Sequence, residues 1–169
     1  MSMLEVNNLS VCYGSVDIVN NISFSLKENQ WMMIVGPNGA GKSTITNAIS
    51  QGVPYKGRVS FFGTDITSLK PSELAKCIGV LTQNHYVSYP FTVEEVVKLG
   101  RYAYSAGIFS TLSEEDYEKI NTAIEITGMQ PFRNHPVPTL SGGELQRTFL
   151  AQVFAQDPKI LILDEPTNH

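Results

Sequence analysis

The chain is short of positive charge. Twelve Lys and Arg stand against sixteen Asp and Glu in 169 residues, a formal net charge of −4. No run of Lys or Arg occurs, which argues against a nucleic-acid-binding arm, because such arms neutralise phosphates with clustered cations. Long apolar runs are also absent. The longest, WMMIV at 31–35 and ILIL at 160–163, fall far short of the ~20 residues that span a bilayer, so any membrane role passes through partners. The opening MSMLEVNNLSVCYGS has no basic leader followed by an apolar stretch and does not read as a secretory signal. Cysteine is scarce: Cys12 and Cys77 lie far apart, without CxxC spacing or a His at metal-ligand distance. The expectation is two buried, reduced thiols in a cytosolic protein. Internal repeats and low-complexity segments are missing too.

What is present suits a globular chain. Hydrophobic residues make up 42% and charged residues 17%, enough to bury a core in a single domain. Leu4, Val6, Leu9 and Val11 fit one strand with a slip at the Asn pair, and Ile22, Phe24 and Leu26 fit a second; VCYGS between them reads as a turn. The continuous run at 31–35 predicts a strand buried on both faces of a parallel sheet. GRVSFFG (57–63) and IGVLTQ (78–83) predict further strands, with a helix opening at Pro71-Ser72-Glu73 between them. From Phe91 the pattern turns helical, with Val93, Val96, Val97 and either Arg101 or Tyr104 on one side. Ser113 and Asp116 have capping-box spacing and open a helix carrying Tyr117, Ile120 and Ile124 that stops at Gly128. Another helix runs from Ser141 to about Gln156, is ended by Asp157-Pro158, and leads into the ILIL strand. This alternation predicts an α/β fold with a mostly parallel sheet.

GPNGAGKST, residues 36–44, follows one predicted buried strand and precedes an apolar-spaced helix. It matches G-x-x-x-x-G-K-[ST] in the context that pattern requires. Gly36, Gly39 and Gly41 let backbone N–H groups turn inward, and the following helix presents its N-terminus to an anion. Pro37, Asn38, Ala40 and Thr44 complete the loop, Lys42 offers a point charge to the β- and γ-phosphates, and Ser43 can ligate Mg²⁺. The chemistry points to a nucleoside triphosphate. At the end of ILIL, Asp164 stands where a carboxylate can hold the hydration shell of Mg²⁺, and Glu165 follows where a base could deprotonate an attacking water.

LSGGE (140–144), with Gln146 and Arg147, resembles the signature motif of ATP-binding cassette (ABC) ATPases. LILDEPTNH resembles that family's Walker B strand and the start of its D-loop. With the P-loop and Gln83 at a strand end (the Q-loop position), four motifs match in order, and the resemblance covers essentially the whole chain. It implies a P-loop NTPase of the ABC class with an N-terminal antiparallel β subdomain. Residues 1–90 would form that subdomain and the Walker A core, 91–145 a helical insert ending in the signature, and 146–169 the return to the core and Walker B. It implies that Tyr13 stacks on adenine, that Gln83 touches Mg²⁺ and senses the γ-phosphate, and that Ser141, Gly142 and Gly143 contact ATP held by a second copy in a head-to-tail dimer. The cofactors implied are ATP and Mg²⁺; the partners are that second copy, transmembrane permease subunits and, indirectly, a solute-binding protein, with no nucleic acid. The location implied is cytoplasmic, on the inner face of the membrane.

The insert GRYAYSAGIFSTLSEEDYEKINTAIEITGM is similar to that of ATPases serving ferric-siderophore and vitamin B12 importers, which implies siderophore iron as cargo, with haem or cobalamin next. NHYVSYPFTVEEV is where such subunits meet the permease, although Tyr86, Tyr89 and Phe91 could equally be core residues. The family pattern continues beyond His169 with the rest of the D-loop, a further strand and a switch histidine; His85, His135 and His169 do not match that histidine. The resemblance therefore implies a C-terminally truncated subunit, its sheet incomplete after Walker B. Its alternative is a nucleotide-binding or interaction fragment without ATP turnover. A GTPase fits poorly, since N-K-x-D and D-x-x-G are missing.

Overall fold

The computed structural model describes residues 2–82, 89–104 and 111–164. They fall into two compact units, residues 1–70 and 71–169.

In the first unit, β1 (Ser2–Tyr13) and β2 (Val16–Lys27) form a long antiparallel hairpin. β3 (Lys56–Phe61) pairs with the other edge of β1, and β4 (Thr64–Asp65) with β3, giving the antiparallel order β2-β1-β3-β4. Leu4, Val6, Leu9 and Val11 are all buried. Burial therefore switches from even to odd positions, which a regular strand cannot do, because its side chains alternate. The slip at the Asn pair resolves this. Asn8 takes a left-handed φ of 53° and Asn21, on β2, one of 52°. Asn8 Nδ2 donates to Asn21 Oδ1 at 2.7 Å, while the Asn8 and Asn21 amides donate to Ser23 Oγ and Ser10 Oγ, each at 2.8 Å. Side chains thus replace the ladder bonds that the bulges break.

The turn is narrower than VCYGS: Cys12 and Tyr13 belong to β1, Tyr13 pairs with Val16, and only Gly14 and Ser15 lie between the strands. Cys12 is exposed rather than buried, and Cys77 only half-buried; both are free. The Cys12 thiol donates to Asp17 Oδ1 at 2.9 Å, and that carboxylate pushes its pKa up. Residues 31–35 form no strand. A strand buried on both faces needs a sheet around it, and this run pairs with nothing among the described residues; its five side chains are 38–83% exposed.

In the second unit, α2 (Pro71–Cys77) leads into β5 (Ile78–Leu81), and β6 (Ile160–Leu163) lies parallel to it in the register Ile78↔Ile160 to Leu81↔Leu163. Parallel pairing among the described residues is confined to these two strands, so the mostly parallel sheet expected from the alternation is not seen. β6 buries Ile160 but exposes Leu161 and Leu163. In the same unit, α3 (Val93–Lys98), α4 (Glu114–Ile126) and α5 (Gly142–Ala155) pack around one core built from Val93, Val96, Val97, Ile120, Ile124 and Ala151. A 3₁₀ segment, Leu99–Tyr104, continues α3.

The capping box at Ser113 and Asp116 forms as the spacing predicts, and a second one pairs Thr92 with Glu95. Gly128, at φ 67°, follows α4. Tyr117 departs from expectation, being exposed while Ile120 and Ile124 are buried. Of Arg101 and Tyr104, Arg101 takes the buried position.

At the start of α3, Glu94 accepts from Arg133 Nε and from Lys98 Nζ, each at 2.9 Å. These two cations, Arg133 foremost, hold its carboxyl down at about 2. Because the folded-state value lies below the ordinary ~4.3 of a free Glu, the network stabilises the fold above about pH 5 and its contribution fades as pH falls toward 2. Glu94→Gln is therefore expected to flatten the loss of thermal stability between pH 5 and pH 3. Melting curves at half-unit pH steps check this; parallel curves for the two proteins would refute it.

Candidate nucleotide-binding site

The loop at residues 36–41 ends where α1 (Lys42–Ile49) begins, with Gly41 as N-cap at φ 87°. A Cβ there would stand 3.0 Å from the Ile18 carbonyl oxygen and 3.2 Å from Val19 Cγ2. Glycine at this point satisfies both the left-handed backbone and the close approach to β2. That contact seats the loop two residues along β2 from Val16, the cross-strand partner of Tyr13. Tyr13 itself is half exposed at the hairpin tip.

Lys42 folds back over the loop, its Nζ donating to the Gly36 and Pro37 carbonyls at 3.0 and 3.1 Å. The first turn of α1 contains no acid, so no carboxylate of its own competes for its N–H groups and positive dipole end. Ser43 and residues 36–40 are exposed. The arrangement fits a polyphosphate: a cation and a helix N-terminus converge on an open loop.

In the second unit, the Asp164 amide donates to the Leu81 carbonyl at 2.9 Å, carrying the β5–β6 ladder one residue beyond Leu163. Asp164 therefore stands at the tip of the parallel pair, the end at which α/β sheets gather ligands. Gln83 and Glu165 lie outside the described residues. At α5, Ser141 is the N-cap, and Gly142 and Gly143 form the first turn, all exposed. The Ser141 amide and hydroxyl both donate to Glu144 Oε2 at 2.7 Å, and these hydrogen bonds lower the Glu144 pKa. The two helix starts thus differ: the first turn of α1 carries no acid, whereas α5 caps itself with Glu144. The role of Glu144 was not drawn from the sequence, although the Ser-x-x-Glu spacing is a capping-box signal. Among the described residues, no three His, Cys, Asp or Glu side chains cluster as a metal site. Ser43 and Asp164 each offer an oxygen of the kind that Mg²⁺ takes as a ligand.

The sequence profile described as "ABC transporter" matches residues 19–168. The chain belongs to the ABC transporter family. An uncharacterized ABC transporter ATP-binding protein of Bacillus subtilis, YvrA, is 41% identical over 98% of this chain and 38% of its own length. The petrobactin import ATP-binding protein YclP of the same organism is 34% identical over 99% of this chain and 66% of its own length. Other relatives are named for iron(3+)-hydroxamate, ferric enterobactin and hemin import. The chain thus spans between about two fifths and two thirds of these ABC proteins. Among solved structures, the ADP conformation of MJ1267, an ATP-binding cassette of an ABC transporter, superposes with a TM-score of 0.83 at 26% identity, covering 99% of this chain and 70% of that one. The ABC fold, with its antiparallel N-terminal sheet and helical region, matches the expectation drawn from the signature motif.

Proposed function

We propose that this chain is the ATP-binding and ATP-hydrolysing part of an ABC importer subunit that powers uptake of an iron complex, ferric siderophore before haem or cobalamin. The observation carrying the reading is the loop at residues 36–41, with Lys42 over it and an acid-free helix start behind it. Tyr13 stacks on adenine, and the loop with Lys42 and Thr44 holds the phosphates. Ser43, Gln83 and Asp164 would hold Mg²⁺, which would supply positive charge against the phosphates. Glu165 accepts a proton from the attacking water. Ser141, Gly142 and Gly143 complete the site of a second copy in a head-to-tail dimer.

Docking to permease subunits on the cytoplasmic side accounts for Tyr89 and Phe91, which are exposed and therefore not core residues; Tyr86 lies outside the described residues. No helix among the described residues is long and apolar enough to cross a membrane. A solute-binding protein would deliver the cargo. The siderophore preference rests on the insert and on relatives named for siderophore import, and uptake of labelled ferric siderophore against labelled haem separates the two.

The nucleotide reading is tested by a thermal melt with and without Mg-ATP at ~100 times its dissociation constant. That ligand level adds ~2.7 kcal/mol to the folded state, a rise of roughly 5–10 °C. Lys42→Ala removes a charged interaction worth ~1.5–3 kcal/mol, weakening binding by about 10- to 100-fold. At the weaker end, the same ATP concentration then stabilises by only ~0.4 kcal/mol. An equal ATP-dependent rise in both proteins would remove Lys42 from the site.

A further inference from the structure

We propose that Arg101 is a positioning residue for Ser141, Gly142 and Gly143, acting on them through the far end of α5. The proposal rests on the reading of those three residues as contacts to nucleotide.

Arg101 is 3% exposed, yet it carries a full charge in the joint between three elements. Its Nε donates to Asp116 Oδ1 at 2.7 Å, and its Nη1 donates to the Ala155 carbonyl at 2.9 Å. Its guanidinium lies 3.7 Å from the centre of the Tyr104 ring. Asp116 divides its oxygens: while Oδ1 holds Arg101, Oδ2 accepts from the Ser113 amide at 2.9 Å and the Ser113 hydroxyl at 2.8 Å, closing the N-terminus of α4. Ala155 is the last residue of α5, and its carbonyl is one of the four that a helix leaves without an internal partner. One guanidinium therefore links the start of α4, the 3₁₀ segment Leu99–Tyr104 and the end of α5.

The joint has no slack. A Cβ on Gly100 would stand 2.2 Å from the Gln152 carbonyl oxygen and 3.1 Å from the Gln156 amide nitrogen, so the backbone before Arg101 lies directly against the last turn of α5. Ala151, Ala155 and Thr148 are fully buried along the same helix. α5 has 14 residues, about 21 Å at 1.5 Å per residue. It is a stiff element, so the direction imposed at Ala155 sets where its N-terminus points.

Stability alone does not call for this arrangement. A buried ion pair is often matched by apolar residues of the same volume. What the fork adds is direction, since its donors are fixed in one plane and its partners lie on different elements.

The test compares Arg101→Met, Arg101→Lys and Asp116→Asn with Ile120→Ala, which opens a cavity in the same core but removes none of the joint's hydrogen bonds. Amide hydrogen exchange on the full chain is the first readout. In Arg101→Met, exchange at residues 141–145 is expected to rise about tenfold, with the β1–β2 amides unchanged. Arg101→Lys and Asp116→Asn, each of which keeps part of the joint, are expected to fall between, and they carry the test if the Met variant does not fold. A rise confined to residues 113–117 and 152–157 would overturn the proposal. In steady-state hydrolysis, kcat of the Arg101 variants is expected to fall about 10- to 100-fold with KM for ATP little changed, as for a misplaced contact. Ile120→Ala, compared at equal fraction folded, is expected to retain kcat; an equal loss there would make Arg101 merely structural. A wild-type chain that neither binds nor hydrolyses ATP would refute the nucleotide reading instead, and the exchange data would still decide the coupling.

Discussion

Glu165→Gln is expected to bind Mg-ATP as tightly as the wild type and to hydrolyse it about 10²- to 10⁴-fold more slowly, the range attributed to a positioned general base. Glutamine keeps the size of the side chain and can still hydrogen-bond a water, but it cannot take a proton at neutral pH. Loss of turnover with retained binding therefore separates proton transfer from phosphate capture, which the reading gives to Lys42 and the loop before it. Asp164, one residue earlier, is expected to behave differently. Its amide extends the β5–β6 ladder at 2.9 Å from Leu81, and its carboxylate is assigned to Mg²⁺, so Asp164→Asn should weaken the metal dependence and turnover together. Single-turnover hydrolysis beside equilibrium nucleotide binding makes the comparison. Unchanged hydrolysis in Glu165→Gln would end its assignment as the base.

The largest stability effect is expected at Gly57. Its φ is +98°, and a Cβ would stand 2.4 Å from the Asn8 carbonyl oxygen, 2.5 Å from the Asn7 carbonyl oxygen and 2.6 Å from the Asn8 carbonyl carbon. All three atoms are backbone, and Asn8 is itself held in a left-handed turn by its bond to Asn21, so none can retreat cheaply. Strain of ~1–3 kcal/mol for the dihedral adds to ~1–3 kcal/mol for overpacking. Gly57→Ala should therefore cost about 3 kcal/mol or more and lower the melting temperature by roughly 6–12 °C. Gly63→Ala isolates the two contributions: its φ is +81°, but nothing lies within 4 Å of the added Cβ. It should show the strain without the collision. Equal losses at the two sites would mean that the β1–β3 contact tolerates a methyl group.

Where a signal is complete within a few residues, the sequence was a faithful guide. Ser113 and Asp116 close their cap, Ser141 and Gln156 bound α5, and the Asn pair marks the slip in β1. Lys42 belongs to the same class, since its Nζ donates to carbonyls five and six residues earlier, whereas the close approach of Gly41 to Ile18 depends on a distant strand. Features that depend on a distant partner were not legible. The apolar run at residues 31–35 has the composition of a buried strand, but a strand exists only where another backbone pairs with it. The periodicity leaves Arg101 and Tyr104 as alternatives for the apolar side, and nothing nearby in sequence says that Ala155, 54 residues after Arg101, supplies the carbonyl to which its guanidinium donates. The scarcity of cysteine suggests a buried thiol at Cys12; the acid to which it donates, Asp17, becomes its neighbour only when the hairpin closes.

The exposed run ahead of the P-loop also gives the molecule a built-in optical probe. Trp31 is the chain's sole tryptophan; it is 83% exposed and lies five residues before Gly36. Its emission should be red-shifted and readily quenched by iodide, free of interference from any other indole. Whatever lays a strand beside residues 31–35 must dehydrate that ring, moving the emission to the blue and slowing the quenching. A change of colour from one native side chain thus reports, without any label, when residues 31–35 are covered.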